Sequence, residues 1–301
     1  YCIPRMLYGT SILHLNKSML SKLNRAQTHL FKRILGIPVT AADESVSLLT
    51  GLIPISHRIG QEKLLLLGQL LDLDSTRFER RTFLHALSIG TPSVKSLKGI
   101  LAMYKLPTIQ DLITNPIPYV SWKRRVKNSI SAAFEEAIQE GAATKSSLAF
   151  WHGKSINPRN LYPKDPPSTI IRQALTIRAQ LLTSTYLTRT RLTKIKKATN
   201  TKCPLCNLEE DTVVHVVASC STTVNLLEDL IDRASRLLHN VLDSAPNTPL
   251  LNTQDPSHLT CAILLPYDPY LPSTVNDSIL KMTLHYLYKI HAHRLHSIPS
   301  N

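Results

Sequence analysis

The sequence predicts a mainly α-helical protein: a helical array interrupted by one metal-sized knuckle and closed by a helical C-terminal tail. Three observations lead there. Apolar residues recur at three-and-four spacing along most of the chain, the mark of one buried helix face. Nine glycines in 301 residues is about half the usual share and argues against turn-rich β folds. A single stretch, CPLCNLEEDTVVHVVASC at 203–220, breaks the helical pattern and concentrates three of the five cysteines.

The first helix is expected from Lys17 to Leu35, burying Leu20, Leu23, Gln27, Leu30, Phe31 and Ile34. Gly36 supplies a left-handed stop and Pro38 blocks continuation. Thr40 with Asp43 has the form of a capping box for a short helix ending at Gly51. Pro54 then opens a helix to Leu73 that buries Ile55, Ile59, Leu66, Leu67, Leu70 and Leu71. Shorter helices follow at 76–88 and 92–104, with a break at 114–119. A longer helix from Tyr119 to Glu140 turns Val126, Ile130, Ala133, Phe134 and Ala137 inward. Four prolines make 152–168 a linker, anchored by Trp151 and His152. Helices resume at 169–184, 186–197 and 222–242. Residues 243–276 read as loop, rich in Pro, Asn, Asp and Ser, and a last helix covers 275–296.

The cysteine stretch has the spacing C-x2-C-x8-H-x4-C through Cys203, Cys206, His215 and Cys220. Two cysteines two residues apart aim both sulfurs at one ion from a tight turn, and the later pair completes a tetrahedron. Three thiolates with one imidazole favour one Zn²⁺, and four protein ligands leave no position for a reacting water, so the site is structural. Thr212 caps the short helix that carries His215 inward. Residues five apart lie about 140° out of line on a regular α-helix, so that helix must loosen before Cys220. Cys2 and Cys261 are too isolated to build a second site. His285, His291, His293 and His296 crowd the last helix; His285, His293 and His296 fall within about 80° of one another and read as a pH-sensitive exposed face, whereas His291 points elsewhere.

Net charge is +14 and unevenly placed: residues 1–202 carry 30 Lys and Arg against 11 Asp and Glu, whereas 203–301 carry 5 against 10. A basic body implies a polyanionic partner. No acid occurs between Pro166 and Leu208, a window that holds Arg172, Arg178, Arg189, Arg191, Lys194, Lys196, Lys197 and Lys202. The last six cluster before Cys203 among threonines, with Tyr186 as a stacking platform for a base. A second patch is Lys123, Arg124, Arg125 and Lys127 beside Trp122, also a stacking candidate. The third lies on the first helix, at Lys22, Arg25, Lys32 and Arg33. Phosphate and single-strand contacts fit these runs better than groove reading, since no recognition-helix arrangement occurs.

Two stretches resemble a known family. LYGTSIL followed by LNRAQTHLFKRILGIPVTAADESVSLLTGLIPISHRI is similar to the thumb that follows the palm in LINE-type (non-LTR) retrotransposon reverse transcriptases. The matching positions are Leu7, Tyr8, Gly9, Gln27, Arg33, Leu35, Gly36 and Pro38. YLTRTRLTKIKKATNTKCPLCNLEEDTVVHVVASC resembles the C-terminal zinc-binding region of the same proteins, through Cys203, Cys206, Asp211, Thr212, His215 and Cys220. The resemblance covers 1–90 and 170–225. It implies a thumb-like array over 1–115, a helical linker with a basic arm over 116–200, a CCHC knuckle over 201–222 and a helical tail over 223–301. It also implies RNA or DNA as ligand, and palm and fingers of the same polyprotein as partners.

Polymerase chemistry needs paired aspartates for two divalent ions. No Asp-Asp pair occurs, so the chain is expected to lack polymerase activity alone, the palm either preceding Tyr1 or being lost. The expected function is that of a nucleic-acid-gripping C-terminal segment of a reverse transcriptase, in an intracellular ribonucleoprotein, nuclear or cytoplasmic, with no membrane partner. The rivals are a zinc-stabilised protein-interaction module and a domesticated or decayed remnant of such an element.

Overall fold

A computed structural model describes residues 7–154, 157–241, 250 and 255–297. Cys2, with the rest of 1–6, and residues 243–249 and 251–254 of the loop expected at 243–276 lie outside the described residues. The protein is 69% helix, and among the described residues no strand forms beyond one bridge between Lys202 and Glu210. The elements are α1 Lys17–Ile34, α2 Glu44–Thr50, α3 Ile55–Asp72, α4 Phe78–Ile89, α5 Pro92–Met103, α6 Ile109–Thr114 and α7 Tyr119–Ala143. They continue with α8 Thr169–Leu182, α9 Arg189–Lys194, α10 Val224–Val241, α11 Pro256–Leu264 and α12 Ser273–Ser297. No described helix is long and apolar enough to cross a membrane.

The chain forms two compact units, residues 1–30 with 52–141 and residues 31–51 with 142–301. The core of the first unit gathers Leu64 and Leu67 of α3, Leu97 and Leu101 of α5, and Val126 and Ile130 of α7. Trp122 completes the α7 stripe: it is 1% exposed and its Nε1 donates to the carbonyl of Leu64 at 2.7 Å. The indole lies so close to Gly68 that no side chain fits there. Gln27 caps the start of α3, accepting from the N–H of Ile55 at 2.9 Å. Leu30 and Ile34 of α1, expected inside, are 51% and 65% exposed, and Ala137 of α7 is exposed as well. The buried end of α1 is instead Lys32.

Lys32 is 2% exposed and belongs to the second unit. Its Nζ donates to the carbonyls of Val39 and Ala41, at 2.9 and 2.5 Å, and to Asp43 Oδ1 at 2.6 Å. Asp43 is therefore spent on Lys32 and makes no side-chain cap, so the expected capping box with Thr40 is absent. A capping box forms at Thr108 and Asp111 and starts α6, a helix the sequence reading passed over. Gly36 takes the expected left-handed turn, φ 66°, and its carbonyl accepts from Gln180 of α8 at 2.7 Å.

Within the second unit α12 packs along α8 and α10. Ile171 and Ala174 meet Leu280 and Leu284 in a small apolar cluster. In the linker Trp151 is buried and His152 Nε2 pairs with the carbonyl of Ala142 at 3.0 Å, as expected of an anchor. The expected loop before 276 contains α11, started by Asp255, whose carboxylate accepts from the N–H of His258, with Pro256 in the first turn. The basic arm, knuckle and tail thus share one compact unit.

Candidate metal centre and basic arm

The metal loop begins where α9 ends. Lys196 adopts φ 57°, the left-handed position after a helix that glycine usually takes. Its N–H and that of Lys197 close the helix on the carbonyls of Thr193 and Leu192, at 3.0 and 2.8 Å. Asn200 then accepts from the N–H of Lys202 at 2.8 Å. The chain returns antiparallel to itself: Cys203 N–H donates to the carbonyl of Glu209, and Asp211 N–H to that of Thr201, both at 2.8 Å. The C-x2-C turn sits at the tip of this narrow hairpin.

His215 arrives on a helix capped by Thr212, whose Oγ1 accepts from the His215 N–H at 3.1 Å. From His215 to Ser219 the helix widens into a π turn. Hydrogen bonding from i to i+5 brings residues five apart towards one side, which is how His215 and Cys220 face the same point. The expected loosening before Cys220 takes this form. Tyr286 of α12 donates to the carbonyl of Val217 and holds the turn in place.

The ligand atoms of Cys203, Cys206, His215 and Cys220 all lie within 4.8 Å of one another, and this group could hold a metal ion. Cys203 Sγ is 3.9 Å from Cys220 Sγ, and Cys206 Sγ is 3.4 Å from His215 Nε2. Glu209 accepts from His215 Nδ1 at 2.9 Å, which fixes the tautomer and leaves Nε2 as the donor to a metal. Burial pushes the Cys203 thiol up to about 11; Cys220 and Asp211 add to this, against the nearby N–H groups of Cys206 and Leu205. At Cys206 burial also opposes ionisation, but the N–H groups of Glu209 and Leu208 with the His215 side chain outweigh it and hold the thiol at about 7.

The side chains expected to meet nucleic acid divide sharply. Lys194, Lys196, Lys197 and Lys202 are exposed around the turn that leads into the metal loop. Arg189 and Arg191 are half-buried, and the Arg191 guanidinium is bound to the carbonyl of Ser184. In the first unit Lys22, Arg25, Lys123, Arg124, Arg125 and Lys127 are exposed, as is Arg33 in the second. Lys32 is corrected to a buried structural cation. Trp122 and Tyr186 are not stacking platforms, being 1% and 5% exposed. The Tyr186 hydroxyl meets His291 Nδ1 at 2.9 Å, so His291 faces inward while His285, His293 and His296 stay exposed. Burial raises the Tyr186 phenol pKa, with Arg294 pulling the other way, and burial with Arg294 beside it lowers that of His291.

The structure gives three further residues of the centre roles that the sequence alone does not show. Glu209 orients His215. Arg294 of α12 is 2% exposed and grips Asp211, itself fully buried. In the sequence Asp211 stands out only as a motif position. Arg294 was visible in principle, because it continues the apolar stripe Leu287–Ile290 at helical spacing.

No protein-family model matches this sequence, and no curated protein or solved structure matches it either.

Proposed function

We propose that this chain grips nucleic acid by its phosphate backbone, with Cys203, Cys206, His215 and Cys220 holding one structural zinc ion that fixes the end of a basic arm. The observation that carries this is the continuity of the two parts: four exposed lysines lead directly into a four-ligand cluster. The donor set supports zinc. A tetrahedral ion with Zn–S bonds of about 2.3 Å and a Zn–N bond of about 2.05 Å has S···S edges of about 3.8 Å and S···N edges of about 3.6 Å. Two of the six distances here are 3.9 and 3.4 Å, and all six are within 4.8 Å. All four positions belong to the protein, so the ion supplies fold and no chemistry.

The burial of Tyr186 and Trp122 removes base stacking from the expected contacts. What remains is cations and hydroxyls, the groups that bind phosphate without reading sequence. Joined to the resemblance above, this supports reading the chain as the nucleic-acid-holding C-terminal segment of a LINE-type reverse transcriptase, without polymerase activity by itself. Palm and fingers of the same polyprotein are the partners this reading implies.

The test is a gel-shift titration of structured RNA and a primer–template duplex at several salt concentrations. Affinity is expected to fall steeply with salt, because each phosphate contact releases counterions. Salt-independent affinity contradicts the proposal. One observation favours the rival, a zinc-stabilised protein-interaction module. An apolar groove of ≈ 770 Å³ in the first unit is lined by Leu84, Leu87, Leu101, Leu106, Ile109 and Ile113. Under that reading the lysines are dispensable and the groove residues are not.

A further inference from the structure

Asp211 lies in the metal loop between Cys206 and His215, yet its carboxylate binds elsewhere. Arg294 Nη1 donates to Oδ1 at 2.6 Å and Nη2 to Oδ2 at 2.8 Å, a bidentate pair. The backbone N–H of Arg189, the first residue of α9, donates to Oδ2 at 2.5 Å. One buried carboxylate therefore joins the metal loop, the basic arm and the terminal helix. Arg294 also lies over the Tyr186 ring, 5.6 Å from its centroid.

The position of this carboxylate is set by the hairpin that carries Cys203 and Cys206, two of the four residues of the metal cluster. The hydrogen bonds Cys203 N–H to Glu209 and Asp211 N–H to Thr201 bracket the loop on both sides. When the loop loosens, the carboxylate withdraws. Arg294 is then a buried charge without its partner, which is strongly unfavourable. The first N–H of α9 is orphaned too, and a six-residue helix cannot hold itself together in water.

We infer that Asp211 relays metal occupancy to the basic arm and to the C-terminal half of α12, so that the metal governs how the arm is presented although no metal ligand lies on it. This rests on the reading that the cluster holds zinc. Asp211 is a positioning residue: it touches neither metal nor nucleic acid.

The experiment is hydrogen–deuterium exchange with mass spectrometry on the full chain, zinc-loaded and chelated, as wild type and as Asp211→Asn, with zinc content measured in parallel. In the wild type, chelation is expected to speed exchange by about tenfold or more over 189–197 and 286–297, while α3 and α7 hold. Asp211→Asn is expected to keep its zinc and to exchange fast over both segments whether or not zinc is present. Zinc-loaded Asp211→Asn with wild-type protection over both segments overturns the inference. So does a wild type whose arm and α12 ignore chelation, an outcome that decides the matter even if the variant fails to fold. A wild type that takes up no zinc overturns the metal reading itself, and is thereby distinguishable from failure of the relay alone.

Discussion

Cys206 and Cys203 face one point with opposite acid–base character. The Cys206 thiol is held at about 7 and that of Cys203 at about 11. Zinc binds thiolate, so at pH 7.5 the Cys203 proton must leave when metal enters. Zinc uptake is accordingly expected to release at least one proton per ion, read by an indicator in weakly buffered solution; uptake without release contradicts the assignment. The same competition is expected to run with pH: acid returns protons to the thiols and lowers the affinity for metal. At this scale the sequence was most legible where covalent chemistry restricts the choice. The four residues that gather into a cluster able to hold a metal ion were readable from their spacing, because few residue types bind a soft ion. Lys32, Trp122 and Tyr186 were misread because residue type says what a side chain can do, not where it points. Trp122 carried a usable signal, since Trp122, Val126 and Ile130 form an i, i+4 row that places the indole on the buried stripe.

At the end of α9 conformation and charge conflict. Lys196 sits at φ 57°, where an L side chain costs about 1–2 kcal/mol. Lys196→Gly is expected to raise thermal stability by up to about 1 kcal/mol and to weaken nucleic-acid binding, checked by calorimetry and gel shift on one preparation. Unchanged affinity makes that lysine irrelevant to the grip. Helix boundaries were legible where caps mark them, as at Gly36 and Gly51, both with φ 66°. They failed where tertiary contacts decide. The arm helix was read as 186–197 but covers only Arg189–Lys194, because Tyr186 turns inward to His291. The short helices α6 and α11 were passed over, although Thr108 with Asp111 and Asp255 with Pro256 are both recognisable starts. Their apolar runs were too short to show a period.

The whole chain divides into two units, and the tail belongs with the metal loop. Its acidic balance concealed this in the sequence, because charge suggested separation while the Asp211–Arg294 pair is long-range and leaves no local trace. Gly68→Ala forces the buried Trp122 indole to move, at about 1–3 kcal/mol of overpacking. It is expected to destabilise the first unit, read by exchange in α3 and α7, and to leave zinc content unchanged. Cys206→Ser is expected to do the reverse, releasing zinc and loosening residues around 200–222 with α3 and α7 intact. The most direct measurement of the central claim is the salt dependence of RNA binding by zinc-loaded wild type and by the variant with Lys194, Lys196, Lys197 and Lys202 all replaced by Ala. The zinc-clasped arm predicts that the variant keeps its zinc and that its log–log salt slope shrinks by roughly 0.7–0.9 for each lysine that contacts phosphate. A variant with equal zinc and an unchanged slope would contradict it.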